Sequence, residues 1–243
     1  QLRWLISNLL AKTEILGPLI PEAAWQRDND PYFYWQIDVA PLELIAGFSI
    51  ALDTLPDLTV DTTQSNYEFS PHSIASGKHT FYVLPFTSGR AWEQQNLLSF
   101  EIWVDAETPL ISQLQPIAGW ITADNLIPIS CSLSDAHSGI DKVATTLTLN
   151  NQTLPFDYDA QKETLTYKPV APLAEGANTV LLKAVDAVGN SLTKAWEFIV
   201  DTQPPMGSIL INAGLGVTHS AYASINIAAQ DWTPGIKNIY LSN

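Results

Sequence analysis

The chain has 243 residues, 46% of them hydrophobic and 15% charged, which is the composition of a folded globular protein of about two ordinary domains rather than of a disordered one. Twenty-five acids against eleven bases give a net charge of −14, which repels phosphate backbones and anionic bilayers and so argues against nucleic acid and anionic membrane as partners. No stretch approaches the roughly 20 consecutive apolar residues of a membrane span.

In chain order, the segment before Tyr32 is interrupted by Gly17-Pro18 and Pro21, which rules out a long helix; Trp4–Leu10 reads as strand or linker and Ile15–Ile20 as a first edge strand. From Tyr32 onward short strands follow one another: YFYWQI, AGFSIALD, NYEFS, HTFYVLPF and LLSFEIWV, separated by clusters of Pro, Asp, Gly and Ser. A second set repeats the plan with ISQLQPIAGWI, NLIPISCSL, KVATTLTL, ETLTYKPV, ANTVLLKAV and LTKAWEFIV. None of these shows a helical period, so the fold class expected is all-β.

The strongest internal repeat is WEFIVDTQPP, Trp196–Pro205, which stands 96 residues after FEIWVDAETP, Phe100–Pro109. Both alternate with period two, place an acid after the last strand residue, and end on prolines that cannot donate to a ladder. Each is expected to close one domain and lead into the next. A glycine opens the penultimate strand in both repeats, at Gly77 and Gly176. A third copy starts after Pro205: Asp231 matches Asp135, and SINIAA matches PISCSL in its alternation. The expected organisation is therefore three units, residues 1–106, 107–202 and 203–243, two complete and the last truncated. With no initiator Met and no signal peptide, the chain is expected to be part of a longer one.

The motifs SDAHSGID, EGANTVLLKAVDAVGN and FIVDTQPP of the second unit resemble the bacterial immunoglobulin-like repeats of large secreted and cell-surface proteins. DNDPYFYW, IAGFSIALDTLPDLTVDTT and GKHTFYV of the first unit look like their fibronectin type III relatives, although Thr87-Ser-Gly89 stands where an Asp-x-x-Gly-Asn turn would be. The resemblance implies tandem immunoglobulin-like β-sandwiches, extracellular placement at a bacterial surface, and a spacer or adhesive role beside other domains of the same chain. It transfers no catalytic residue.

The residues themselves agree. His72, His79, His137 and His219 stand singly, without an HExxH pair or a cysteine partner, and neither a G-x-S-x-G elbow nor a phosphate loop occurs. No catalytic or cofactor-binding residue is assigned. Cys131 lies in an apolar run and reads as a buried strand residue rather than a reactive thiol. Asn151-Gln-Thr153 has the form of a glycosylation sequon in a hairpin turn and reads as turn chemistry.

Two features carry functional weight. In an immunoglobulin-like topology Asp135, Asp141 and Asp186 fall at the pole where the chain enters, beside Asp105 and Glu107. Asp105, Glu107, Asp135 and Asp186 are then candidate calcium ligands, and the competing reading is that each short acid accepts backbone N–H bonds in its own turn. Separately, if Phe81, Val83, Phe100, Ile102 and Val104 face the core, then Tyr82, Leu84, Phe86 and Trp103 share the other face of the sheet. Tyr82 and Trp103 are candidates to stack on glycan or to dock a protein, and the competing reading packs them under the N-terminal segment or the long loop. Two functions follow: non-catalytic spacer and adhesion modules, or carbohydrate-binding ancillary modules of a secreted polysaccharide-degrading enzyme.

Overall fold

A computed structural model of the chain describes residues 14–15, 22–36, 45–87, 97–217, 219, 221–231 and 235–240. The reading of Trp4–Leu10 and most of Ile15–Ile20 lies outside them. The chain divides into two compact units. One comprises Gln1–Pro109 with two turns of the second repeat, Asp135–Asp141 and Val185–Ser191; the other comprises Leu110–Ser134, Lys142–Ala184 and Leu192–Asn243.

The described residues are all-β apart from a 3₁₀ turn at Asn212–Gly214. The first repeat supplies β1 (Glu14–Ile15), β2 (Trp25–Gln26), β3 (Tyr32–Gln36), β4 (Ile45–Leu52), β5 (Asn66–Glu68), β6 (Gly77–Thr87) and β7 (Leu98–Val104). They form two sheets, ordered β1-β3-β5 and β2-β7-β6-β4. The alternation read from the sequence decides which side chains meet: Phe33 and Trp35 of one sheet and Phe48, Phe81, Val83, Phe100, Ile102 and Val104 of the other are buried in one cluster. Phe33 and Phe81 stack with ring centroids 4.2 Å apart, and Trp35 meets Phe48 edge-on at 5.2 Å. Ile50 of β4 is only partly buried against it. Ile74 is buried there from a loop, where no period announces it.

The loop after β4 folds back over that strand. Asp61 Oδ2 accepts hydrogen bonds from the Ile50 amide at 2.8 Å and from Ser49 Oγ at 3.1 Å, so the Ser49 hydroxyl is buried but satisfied. Gly47 is required by this approach, since a Cβ there would stand 2.3 Å from Val60 Cγ1. At the far end of the strand, His79 Nε2 donates to the Ala75 carbonyl at 2.9 Å while Nδ1 lies 2.7 Å from Asp53 Oδ2, which ties the end of β4 to the start of β6.

The second repeat supplies β8 (Leu110–Gln115), β9 (Ile121–Thr122), β10 (Ile129–Ser134), β11 (Thr146–Leu149), β12 (Gln152–Leu154), β13 (Asp157–Asp159), β14 (Thr164–Tyr167), β15 (Gly176–Val185) and β16 (Ser191–Val200). Their sheets are ordered β13-β14-β10-β8 and β12-β11-β15-β16-β9. Ile129, Cys131, Leu147, Val180, Leu182, Trp196 and Phe198 are buried, as the alternation predicts, and Leu133, Leu165 and Val200 join them. Burial pushes the Cys131 thiol from 9.0 up to about 11. The β11–β12 hairpin turns on Asn150 and Asn151, both left-handed at φ 50° and 67°, a two-residue turn that asparagine tolerates. Asn150 then reaches out of the turn: its Oδ1 accepts the Thr179 amide at 2.8 Å and its Nδ2 donates to buried Asn178 at 3.0 Å.

In both repeats a two-residue strand runs parallel to the last strand. β2 pairs with β7 at Trp25↔Trp103 and Gln26↔Val104, and β9 pairs with β16 at Ile121↔Ile199 and Val200↔Thr122. The third copy is an antiparallel ribbon of β17 (Met206–Ile211) and β18 (Ile225–Gln230).

Candidate functional site

Three short acids that lie far apart in the chain come together. One carboxylate oxygen from each of Asp105, Asp135 and Asp186 lies within 4.8 Å of the others. Asp105 and Asp186 are buried and Asp135 is half-buried. Asp105 follows directly on β7, where its amide donates to the Gln26 carbonyl at 2.7 Å and fixes the direction in which the chain leaves the sheet.

Local turn chemistry brings the other two into place. Asp135 opens a turn in which its Oδ1 accepts the amides of His137 at 3.1 Å and Gly139 at 2.8 Å, with Gly139 at φ +85° supplying the left-handed residue. Asp186 does the same four residues deep: Oδ1 accepts Val188 at 3.0 Å and Asn190 at 2.8 Å, and Oδ2 accepts the Asn190 side-chain amide at 2.8 Å. The turns also hold each other, through Ala187 N–H to the Gly139 carbonyl at 2.9 Å and Asp141 N–H to the Val185 carbonyl at 2.9 Å.

Asp105 joins both. Its Oδ2 accepts the Ser138 amide at 3.1 Å, its Oδ1 accepts the Glu107 amide at 3.3 Å, and its carbonyl accepts Asn190 Nδ2 at 2.8 Å. The three carboxylates therefore draw on N–H dipoles, which is how a buried acid is stabilised without a counter-ion. Among the described residues none of the three forms an ion pair and no donor reaches Asp135 Oδ2.

The structure separates the sequence candidates. Asp105, Asp135 and Asp186 converge, whereas Glu107 does not belong to the group: its carboxylate is exposed and lies 3.9 Å from His137 Nε2. Asp141 contributes its backbone but no group ligand atom. Asn190 is the partner that sequence reasoning missed, although the spacing Asp186-x-x-Gly-Asn190 announces its turn; its second role, on the Asp105 carbonyl, spans 85 residues and leaves no local signal.

The aromatic strip is also resolved. Trp103 is half-buried, with the Trp25 ring centroid 5.5 Å away and Lys78 Nζ 3.8 Å above its own ring. Trp25 in turn lies 5.5 Å from the His137 ring. Leu84, expected on an outer face, is buried. Tyr82 is half-buried beside Ser99 and Ala51. The strip is thus packed in part by the segment preceding β3, and Trp103 does not present a bare ring.

Among the described residues no helix is long and apolar enough to cross a membrane. No family model and no curated protein sequence matches the chain. Among solved structures it is similar to the fibronectin(III)-like modules of Clostridium thermocellum CbhA, at 14% identity and a TM-score of 0.34 over 86% of this chain and 100% of that one. It is also similar to immunoglobulin domains 1–4 of Sidekick-1, at 10% identity and 0.41 over 78% and 50%. A tetra-tandem repeat in the extending region of a large adhesion protein matches at 14% and 0.32 over 83% and 51%. Strand order and core, rather than these distant likenesses, define the molecule as tandem immunoglobulin-like β-sandwiches.

Proposed function

We propose that the chain is a run of non-catalytic spacer and adhesion modules, with units at 1–106, 107–202 and 203–243, from a longer extracellular bacterial surface protein. The observation that carries this reading is repetition of a structural plan: the same strand, acid and proline unit ends both sandwiches, and the third copy begins with the same pairing. The acids at the turns support it. They are occupied with backbone amides, so they stiffen the chain where it leaves β7 instead of lining a reactive cleft. In this reading the carboxylates need no ion, and the partners are neighbouring domains with a protein or glycan at a surface.

The competing reading, a carbohydrate-binding module beside a polysaccharide-degrading enzyme, rests on Tyr82 and Trp103. A glycan array and polysaccharide pull-down with the intact chain tests the two. No retention by a folded chain supports the spacer; retention that disappears in Tyr82→Ala/Trp103→Ala replaces it with the carbohydrate module.

A further inference from the structure

Where the end of β4 meets the start of β6, one imidazole faces two acceptors. His79 Nδ1 lies 2.7 Å from Asp53 Oδ2, and Nε2 lies 2.9 Å from the Ala75 carbonyl oxygen. A carboxylate and a carbonyl only accept, so both contacts are hydrogen bonds only when both ring nitrogens carry hydrogen, which is the imidazolium form. The His79 side chain is 14% exposed, so water does not freely replace a lost partner. Asp53 is itself held in place, because its Oδ1 accepts the Thr80 amide at 2.9 Å.

The neutral ring has a single N–H for these two acceptors. That hydrogen belongs on Nδ1, because a bare nitrogen lone pair 2.7 Å from a carboxylate is repelled more than one facing a neutral carbonyl. Loss of the proton therefore keeps the Asp53 tie and frees the Ala75 carbonyl. That carbonyl belongs to the loop that carries Ile74 into the core. The same loop holds the segment following β7: the Ile74 amide donates to the Asn29 carbonyl at 3.0 Å, and Ser76 Oγ accepts the Ala106 amide at 3.0 Å. Among the described residues Asp53 is the acid paired with the ring. Lys78, its neighbour in β6, lies over Trp103 on the opposite face, and Glu101 of β7, across from Thr80, is exposed. Ile102, directly across from His79, is apolar and buried, and His72 of the loop is held 3.1 Å from Asn29 Oδ1.

We propose that His79 is a proton-operated latch on loop 74–76 and, through Ser76, on the segment that follows β7. The latch is closed while the imidazole carries both hydrogens, and it opens as pH rises through about 5 to 8, the range in which a histidine ordinarily exchanges its proton. The closed loop holds a proton that the open loop does not need, so its anchorage is whole on the acid side and is lost on the alkaline side. The core strands are not part of the latch. The acidity of the surroundings thus sets how firmly the chain is held as it leaves the first sandwich, whatever the modules bind.

The test uses the full isotope-labelled chain at roughly pH 5.5 and roughly pH 8, on either side of that range. Amide hydrogen exchange, corrected for its intrinsic rate, should show the protection of Ile74 and Ala106 falling at least about fivefold at the higher pH, while that of Val83 in the middle of β6 holds within about twofold. Ring nitrogen shifts should show His79 passing from the doubly protonated form to the Nδ1–H form. Asp53→Asn keeps an acceptor for the Thr80 amide and offers Nδ1 an N–H, and asparagine tolerates the left-handed φ of 61° at this position. In that variant the neutral ring should carry its hydrogen on Nε2 and stay bonded to Ala75, so Ile74 and Ala106 should remain protected at both pH values. Four results would overturn the proposal: unchanged protection of Ile74 and Ala106 in the natural chain, an equal loss at Val83, a neutral His79 with its hydrogen on Nε2, or the same pH dependence in Asp53→Asn. The first three are read in the natural chain and do not require the variant to fold. None bears on the glycan experiment, so the two readings fail independently.

Discussion

β8–β10 and β17–β18 are the same pairing in two surroundings. Their registers coincide at three pairs, Leu110↔Ser134 to Ser112↔Ser132 and, 96 residues later, Met206↔Gln230 to Ser208↔Ala228, before a bulge shifts the first; yet Ile129 is fully buried and its counterpart Ile225 is 49% exposed. The difference teaches that strand pairing can recur while burial depends on what lies opposite. In the second repeat that is β14 at the edge and the β12-β11-β15-β16-β9 sheet across the core. Hydrophobic stabilisation scales with area removed from water, so the two copies should respond very differently to the same substitution.

The largest expected effect is the direct test of this. Ile129→Ala should destabilise the chain by about 2–5 kcal/mol in denaturant unfolding, the range for a buried isoleucine that leaves a cavity. Ile225→Ala should change it by less than about 0.5 kcal/mol, as at exposed sites. Equal costs would show that the ribbon buries its isoleucines in solution and would break the comparison. Trp35→Ala, in the core of the first repeat, sets the upper scale at about 3–5 kcal/mol.

The next pair sharpens it at a single position. Cys131 and Ile227 are counterparts, and burial raises the Cys131 thiol to about 11. Because the folded value lies above the unfolded one, the stability linked to the neutral thiol is whole below 9.0 and is lost as pH rises through about 11. The loss amounts to about 2–3 kcal/mol. Stability measured between pH 8 and 11 should show that fall in the natural chain and lack it in Cys131→Ala. Conversely, a thiol introduced by Ile227→Cys should alkylate at pH 8 at least about a hundredfold faster than Cys131, since its thiolate fraction is that of an ordinary cysteine.

These expectations rest on elements that were legible as sequence. Period-two alternation located Phe33, Phe81, Phe100 and Phe198 in their cores because a strand has only two faces. The elements it did not locate, β2, β12 and β13, are two or three residues long, too short to display a period, and ISQLQPIAGWI, read as one strand, is divided between β8 and the two-residue β9. Ile74 and Trp25 act from outside any long strand: one enters the core from a loop and the other covers Trp103, and nothing local distinguishes either from a surface residue. The convergence of Asp105, Asp135 and Asp186 was readable from turn spacing plus topology. The exclusion of Glu107 was not, because it depends on the direction the chain takes after Asp105.

The smallest expected effect concerns those acids. Asp135→Asn keeps an acceptor for the amides of His137 and Gly139 and should cost about 1 kcal/mol. Calcium and chelator should leave the melting temperature unchanged. A calcium-dependent rise that Asp135→Asn abolishes would instead make the three carboxylates a cation site, worth about 2.7 kcal/mol at a hundredfold excess over its dissociation constant.

The short parallel strands β2 and β9 have a mechanical consequence. Tension applied to the two ends of a repeat acts on its entering and leaving segments in opposite directions. Those segments are the ones joined side by side, by Ala23 to Glu101 and Asp105 to Gln26 in the first repeat, and by Gly119 to Glu197, Ile199 to Trp120 and Asp201 to Thr122 in the second. Such bonds lie across the pull and are loaded in shear, so they must yield together rather than unzip one at a time. A module only a few nanometres long thereby resists extension at its first rupture, before the rest of its sheets carry any load.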